Sequence, residues 1–165
     1  MPHDADLIRV KDRAAWRRWL SRNHERGAGV WLAVHKKDSR SGSLSYEDAV
    51  LEALCFGWID STAKSIDEDT YGLWLAPRKP KSIWSALNKA RVEVLVTEGA
   101  MEPPGAAAIE TAKANGAWSA LDASDALIVP DDLDSAFAAQ PAVARQNWDG
   151  FPPGVRKQIL GWINA

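Results

Sequence analysis

Trp58-Ile59-Asp60-Ser61, then Glu68-Asp69, then Thr70-Tyr71-Gly72-Leu73-Trp74-Leu75-Ala76, is the stretch that decides the fold. In the last run Tyr71, Leu73 and Leu75 alternate with Gly72, Trp74 and Ala76. That two-residue period is the signature of a strand with two different faces. With an acidic turn between two such segments, the stretch reads as a β-hairpin. Pro77 and Pro80 follow, and proline, lacking an N–H, stops a sheet ladder. Upstream, Val30 to His35 sets Val30, Leu32 and Val34 on one face and Trp31, Ala33 and His35 on the other. Both faces are largely apolar, so this is an inner strand. Between the two strand regions, Ser45 and Asp48 form an S-x-x-D capping box. It opens a helix with Ala49, Val50, Ala53 and Leu54 inward, and Gly57 suits its C-terminal stop.

Working outward, Asp12 caps a predicted helix from Arg13 to His24, with Trp16, Trp19 and Leu20 on one stripe and Gly27 and Gly29 after it. Lys36 to Ser43 reads as a polar loop. Ser82 is the expected cap of a helix running to Glu98, with Trp84, Leu87, Val94 and Leu95 near one face. Pro103-Pro104 starts a helix that Asn115-Gly116 ends, with Ile109 and Ala112 inward. Pro130-Asp131-Asp132 starts another, its carboxylates at the positive dipole end. A break is expected over Asn147 to Gly154, followed by a last helix with Val155, Ile159, Trp162 and Ile163 on one stripe. The expected fold class is α+β: a small, mainly antiparallel sheet packed by helices, with a helical C-terminal extension. The expected organisation is a single domain over 1–165, with a mixed core at 1–99 and the extension at 100–165.

The bulk numbers narrow the function classes. At 165 residues folding buries roughly 70% of the unfolded surface, so no disulfide or metal staple is needed. The net charge of −2 argues against an extended nucleic-acid footprint, although it leaves room for a local basic patch. A single cysteine, Cys55, allows no internal disulfide. No apolar run reaches the length of a membrane span. Met1 to Asp6 is polar and acidic and shows no secretory-signal pattern, so the expected compartment is cytoplasmic. Nine tryptophans are many for this length. Read as packers, Trp16, Trp31, Trp58 and Trp84 should be buried.

One ordered set of residues carries a resemblance. It comprises Val30 to Lys37, Ser45 to Asp60, Ala76-Pro77-Arg78, Ser82-Ile83-Trp84-Ser85 and Asn88, then Glu98 to Met101, Ala112 to Trp118 and Val129 to Leu133. In this order the chain resembles the YdeI/OmpD-associated family, also labelled bacteriocin-protection proteins, from about Trp19 to Trp162. The resemblance implies a link to tolerance of bacteriocins or antimicrobial peptides. It brings no agreed catalytic residue and no cofactor. Relatives often continue past a Trp-Ile like Trp162-Ile163 into a basic stretch; this sequence ends at Asn164-Ala165.

The candidate ligand-binding set is Asp60, Arg78, Ser82, Trp84 and Ser85. Asp60 and Arg78 stand at ends of neighbouring strands. They either pair with each other, tying the hairpin to the sheet, or point at a ligand. Ser82-x-x-Ser85 at a helix start, beside Arg78, would make an anion site, or else Ser82 is an ordinary cap. Trp84 or Trp74 would be the apolar wall. Lys36 and Lys37 would add charge to the same rim or form a solvated loop. Cys55 on an apolar helix reads as an inert thiol, even with His35 in the sequence. No metal spacing and no nucleotide fingerprint is present, so no cofactor is expected. The favoured function is a non-enzymatic binding protein for a small anion or a protein partner. The alternative is a small-molecule enzyme using Asp60 and Arg78 in a cleft.

Overall fold

The computed structural model describes residues 7–37 and 44–164. In chain order these form β1 (Leu7–Ile8), α1 (Arg13–Asn23), β2 (Val30–His35), α2 (Tyr46–Cys55), β3 (Trp58–Ser65) and β4 (Thr70–Pro77). Then come α3 (Ala86–Thr97), α4 (Pro103–Asn115), α5 (Asp122–Asp125), α6 (Asp131–Ala138), α7 (Ala142–Gly150) and α8 (Pro153–Ile163). Most of the polar loop expected over Lys36 to Ser43 lies outside the described residues.

The strands make a four-stranded sheet in the order β1-β2-β4-β3. β1 is parallel to β2, and the other two pairings are antiparallel. The fold is α+β with a C-terminal run of helices, as the periodicities require. β1 was not foreseen, because two residues are too few to show a period.

Register sets the core. Val30 faces Leu75 and Leu32 faces Leu73, so the Val30–Leu32–Val34 side of β2 meets the Leu73–Leu75 side of β4. These residues join Trp58 in one buried cluster with Trp16 and Leu20 of α1 and Ala49, Val50, Ala53 and Leu54 of α2. Trp16, Trp31, Trp58 and Trp84 are all buried. The indole N–H groups of Trp16 and Trp58 donate to the carbonyls of Ala49 and His24, each at 3.1 Å. Two buried donors are thereby satisfied.

Ion pairs join α1 to α2. Buried Glu52 accepts from Arg13 Nε at 2.6 Å and from Arg17 Nη1 at 2.7 Å. Arg13 also reaches Asp48 at 2.9 Å, and Arg17 reaches Glu102 at 2.5 Å. Gly57, at φ +75°, ends α2 in the left-handed conformation that glycine adopts without strain. At Gly105 a Cβ would stand 2.3 Å from the Cys55 carbonyl oxygen, so α4 crosses the end of α2 in direct contact.

Two boundaries differ from expectation. The helix expected from Ser82 begins at Ala86, and its cap is Ser85, whose Oγ accepts from the Asn88 N–H. Three residues of delay bring Trp84 into the connection. The buried side of α3 becomes Asn88, Val92 and Leu95, while Leu87 and Val94 face out. The expected break at Asn147–Gly154 shrinks to Phe151-Pro152, because α7 runs through Gly150 and α8 starts at Pro153. In α8 the buried residue is Leu160, and Trp162 is 82% exposed. Among the described residues no helix is long and apolar enough to cross a membrane.

Candidate functional site

Arg78 directly follows β4. Its backbone N–H donates to the Gly57 carbonyl at 2.9 Å, tying the exit of β4 to the entry of β3. The side chain lies over Trp84, with the guanidinium carbon 3.6 Å from the ring centroid. That is close range for a cation on an aromatic face. Nη1 donates to the Ile83 carbonyl at 3.3 Å. Nε and Nη2 are buried and have no acceptor. Those two nitrogens form the side-on edge of a guanidinium, the fork that matches a carboxylate or phosphate. Burial pulls the Arg78 pKa down from the usual guanidinium value to about 10, against the opposing pull of the Asp60 charge. The group stays charged at neutral pH, so the shift measures lost hydration.

A recess of about 90 Å³ adjoins it, lined by Arg78, Lys79, Pro80, Trp84, Ala108 and Thr111. At about 30 Å³ per water it has room for one small anionic group. Among the described residues its lining carries two cations and no carboxylate. Trp84 is held from behind by Trp118, ring centroids 5.0 Å apart.

A second polar group centres on Asp60, whose charge acts on Arg78. Tyr46 at the start of α2 donates its hydroxyl to Asp60 Oδ2 at 2.8 Å. Burial raises the pKa of both Tyr46 and Tyr71, and Asp60 adds to each shift. Arg91 of α3 lies over Tyr46, 5.9 Å from its ring centroid. Its fork is filled by Glu47, at 2.8 Å from Nε and 2.5 Å from Nη2. Its Nη1 donates to Oδ1 of buried Asn88 at 2.9 Å. Arg91 and Arg78 therefore present the same fork in two states, one occupied by a carboxylate and one empty.

The expected residues divide. Arg78 and Trp84 share the recess; Asp60, Ser82 and Ser85 do not line it. Asp60 and Arg78 make no direct ion pair among the described residues, because Asp60 binds Tyr46 instead. The Ser82 helix start is displaced to Ser85, whose own oxygen holds an N–H of the first turn. Trp74 is not the wall: it pairs with Trp31 on the opposite face of the sheet, ring centroids 5.3 Å apart. Lys36 lies at the far end of β4, donating to the Asp67 carbonyl at 2.8 Å, because β2 runs antiparallel to β4. Cys55 is buried, and burial pushes its thiol pKa up, as suits an inert thiol.

Sequence reasoning missed Tyr46, Arg91, Lys79 and Thr111. No local pattern marks them, although the chain has only two tyrosines, and in the folded chain Asp60 acts on both.

Residues 8–108, well over half the chain, match the family model described as Domain of unknown function (DUF8412), and the chain belongs to that family. Residues 126–165 match the model described as Bacteriocin-protection, YdeI or OmpD-Associated, which supports the resemblance read from the sequence. No curated protein and no solved structure matches the chain.

Proposed function

We propose that this member of the DUF8412 family is a binding protein of the bacteriocin-protection type that holds a small carboxylate or phosphate at Arg78. The observation that carries the reading is the empty guanidinium fork of Arg78, buried against Trp84. An unsatisfied buried polar group costs about 1–3 kcal/mol, and more when charged. Arg13, Arg17 and Arg91 avoid that cost, each with a carboxylate partner. Among the described residues Arg156 Nε is also buried without an acceptor, but only Arg78 has both Nε and Nη2 in that position. An anion entering the recess would supply the two missing acceptors. Trp84 would stack against the guanidinium and exclude water, and Lys79 would add charge at the mouth. The fork is closed to solvent in the free chain, so occupancy requires the 78–85 connection to give way. That connection contains a single turn, Ser82 N–H to the Lys79 carbonyl.

Thermal unfolding in a series of small carboxylates and inorganic phosphate tests this. A ligand present at a hundred times its Kd adds about 2.7 kcal/mol of stability. Wild type should gain melting temperature with at least one of these anions, and Arg78→Met should not. An equal gain in both, or no gain in wild type, would leave Arg78 a structural residue. Tolerance of a bacteriocin or antimicrobial peptide by cells expressing the two proteins is the matching phenotype.

A further inference from the structure

We propose that the cleft between the β1 segment and α1 is a second anion site, independent of Arg78, that takes a chain of linked phosphates. The cleft has a volume of about 420 Å³ and is lined by Leu7, Ile8, Arg9, Val10, Ala15, Arg18, Trp19, Arg22 and Asn23. Among the described residues, three arginines line it and no carboxylate does. This is notable in a chain whose acidic residues outnumber its basic ones by 22 to 20.

Helix α1 divides its arginines. Arg13 and Arg17 turn towards α2 and are neutralised by Asp48, Glu52 and Glu102. Arg18 and Arg22, one turn apart, line the cleft and make no ion pair among the described residues. Residues four apart on a helix stand about 6 Å apart at Cβ, so their two guanidinium groups address one ligand. Arg9 enters from the other wall. The acid that feels its charge, Asp67, is already held by the backbone N–H groups of Asp69 and Thr70. Three like charges around one concavity raise the local potential for anions. Guanidinium groups suit phosphate better than ammonium groups do, because each offers a planar fork of donors.

The wall also limits the ligand. Trp19 stacks on Trp16 at 5.1 Å, meets Trp58 edge-on at 5.9 Å and lies under Arg26 at 5.7 Å. Its ring is already engaged and offers no platform for a base. What remains is charge: a cleft larger than one phosphate, with donors from two elements. Pyrophosphate, or the diphosphate end of a larger molecule, fits that chemistry.

Calorimetric titration of the whole chain with inorganic pyrophosphate is the test, with orthophosphate in parallel. The Arg18→Gln/Arg22→Gln pair removes exposed side chains, and circular dichroism and melting temperature verify that it folds. Pyrophosphate should bind wild type about tenfold or more tighter than orthophosphate. The double variant should lose at least tenfold, Arg78→Met should keep full affinity, and added salt should weaken binding steeply. Binding unchanged in the double variant would overturn the proposal, as would no binding by wild type. Vesicles containing phosphatidylglycerol separate the sources. Retention on vesicles without pyrophosphate binding would assign the cleft to a lipid surface and also overturn it. A pyrophosphate response lost in Arg78→Met but kept in the double variant would return the ligand to the Arg78 recess.

Discussion

At the scale of single residues, the chain's two tyrosines report on the Asp60 environment. Burial first, and Asp60 second, raises the pKa of Tyr46 and of Tyr71 above 10.0. The folded chain therefore keeps these protons at a pH where the unfolded chain has released them. Their contribution to stability is fully present below about 10 and is lost as pH rises through the raised folded values. Tyrosinate absorbance of the native protein should show midpoints above that of free tyrosine. Asp60→Asn should lower the Tyr46 midpoint, because it removes both the charge and the ionised acceptor. Native midpoints that do not move in Asp60→Asn would mean that burial alone sets them.

At the scale of elements, the α1–α2 ion network makes the clearest claim. Glu52 is 3% exposed and accepts from two arginines that keep partial access to solvent. Glu52→Gln keeps the shape and removes the charge, so it should destabilise by about 1.5–3 kcal/mol, as hydrogen bonds to charged groups do. Urea unfolding with an unchanged m-value would measure it. A change within about 0.5 kcal/mol, typical of surface positions, would show that solvent screens the network. Legibility in the sequence follows the same scale. β2, α2 and β4 were readable because each carries a clear period or cap, such as Ser45 with Asp48. The start of α3 was misread because Ser82 and Ser85 are equally good caps by chemistry. Trp84 decides between them, by burying against Trp118 and Arg78 ahead of the helix, and that is a tertiary contact. Arg78 and Trp84 were legible as a pair only because five residues separate two strong markers. Tyr46 and Arg91 entered the site through α2–α3 packing, which no local pattern encodes.

At the scale of the whole molecule, the tryptophans unite the layers. Trp58 of β3 is fully buried, with Trp19 of α1 against its edge and the loop after α1 holding its N–H. Trp58→Ala should cost about 3–5 kcal/mol and lower the melting temperature by roughly 10 °C. An unchanged melting temperature would place that indole outside the cooperative core.

The strand order β1-β2-β4-β3 also sets a hierarchy of opening. β4 has a partner on each side and runs from the acidic turn to Arg78, so its amides can exchange with solvent only when β2 or β3 leaves. β1, two residues long at the margin, can detach alone. Deuterium uptake should be fastest at Leu7 and Ile8 and slowest at Leu73 and Leu75, where it should approach the global unfolding limit. An anion at Arg78 would add protection at the end of the slowest strand. Its signal should therefore appear at the Arg78 amide, whose N–H donates to the Gly57 carbonyl, while the β1 amides continue to exchange as before.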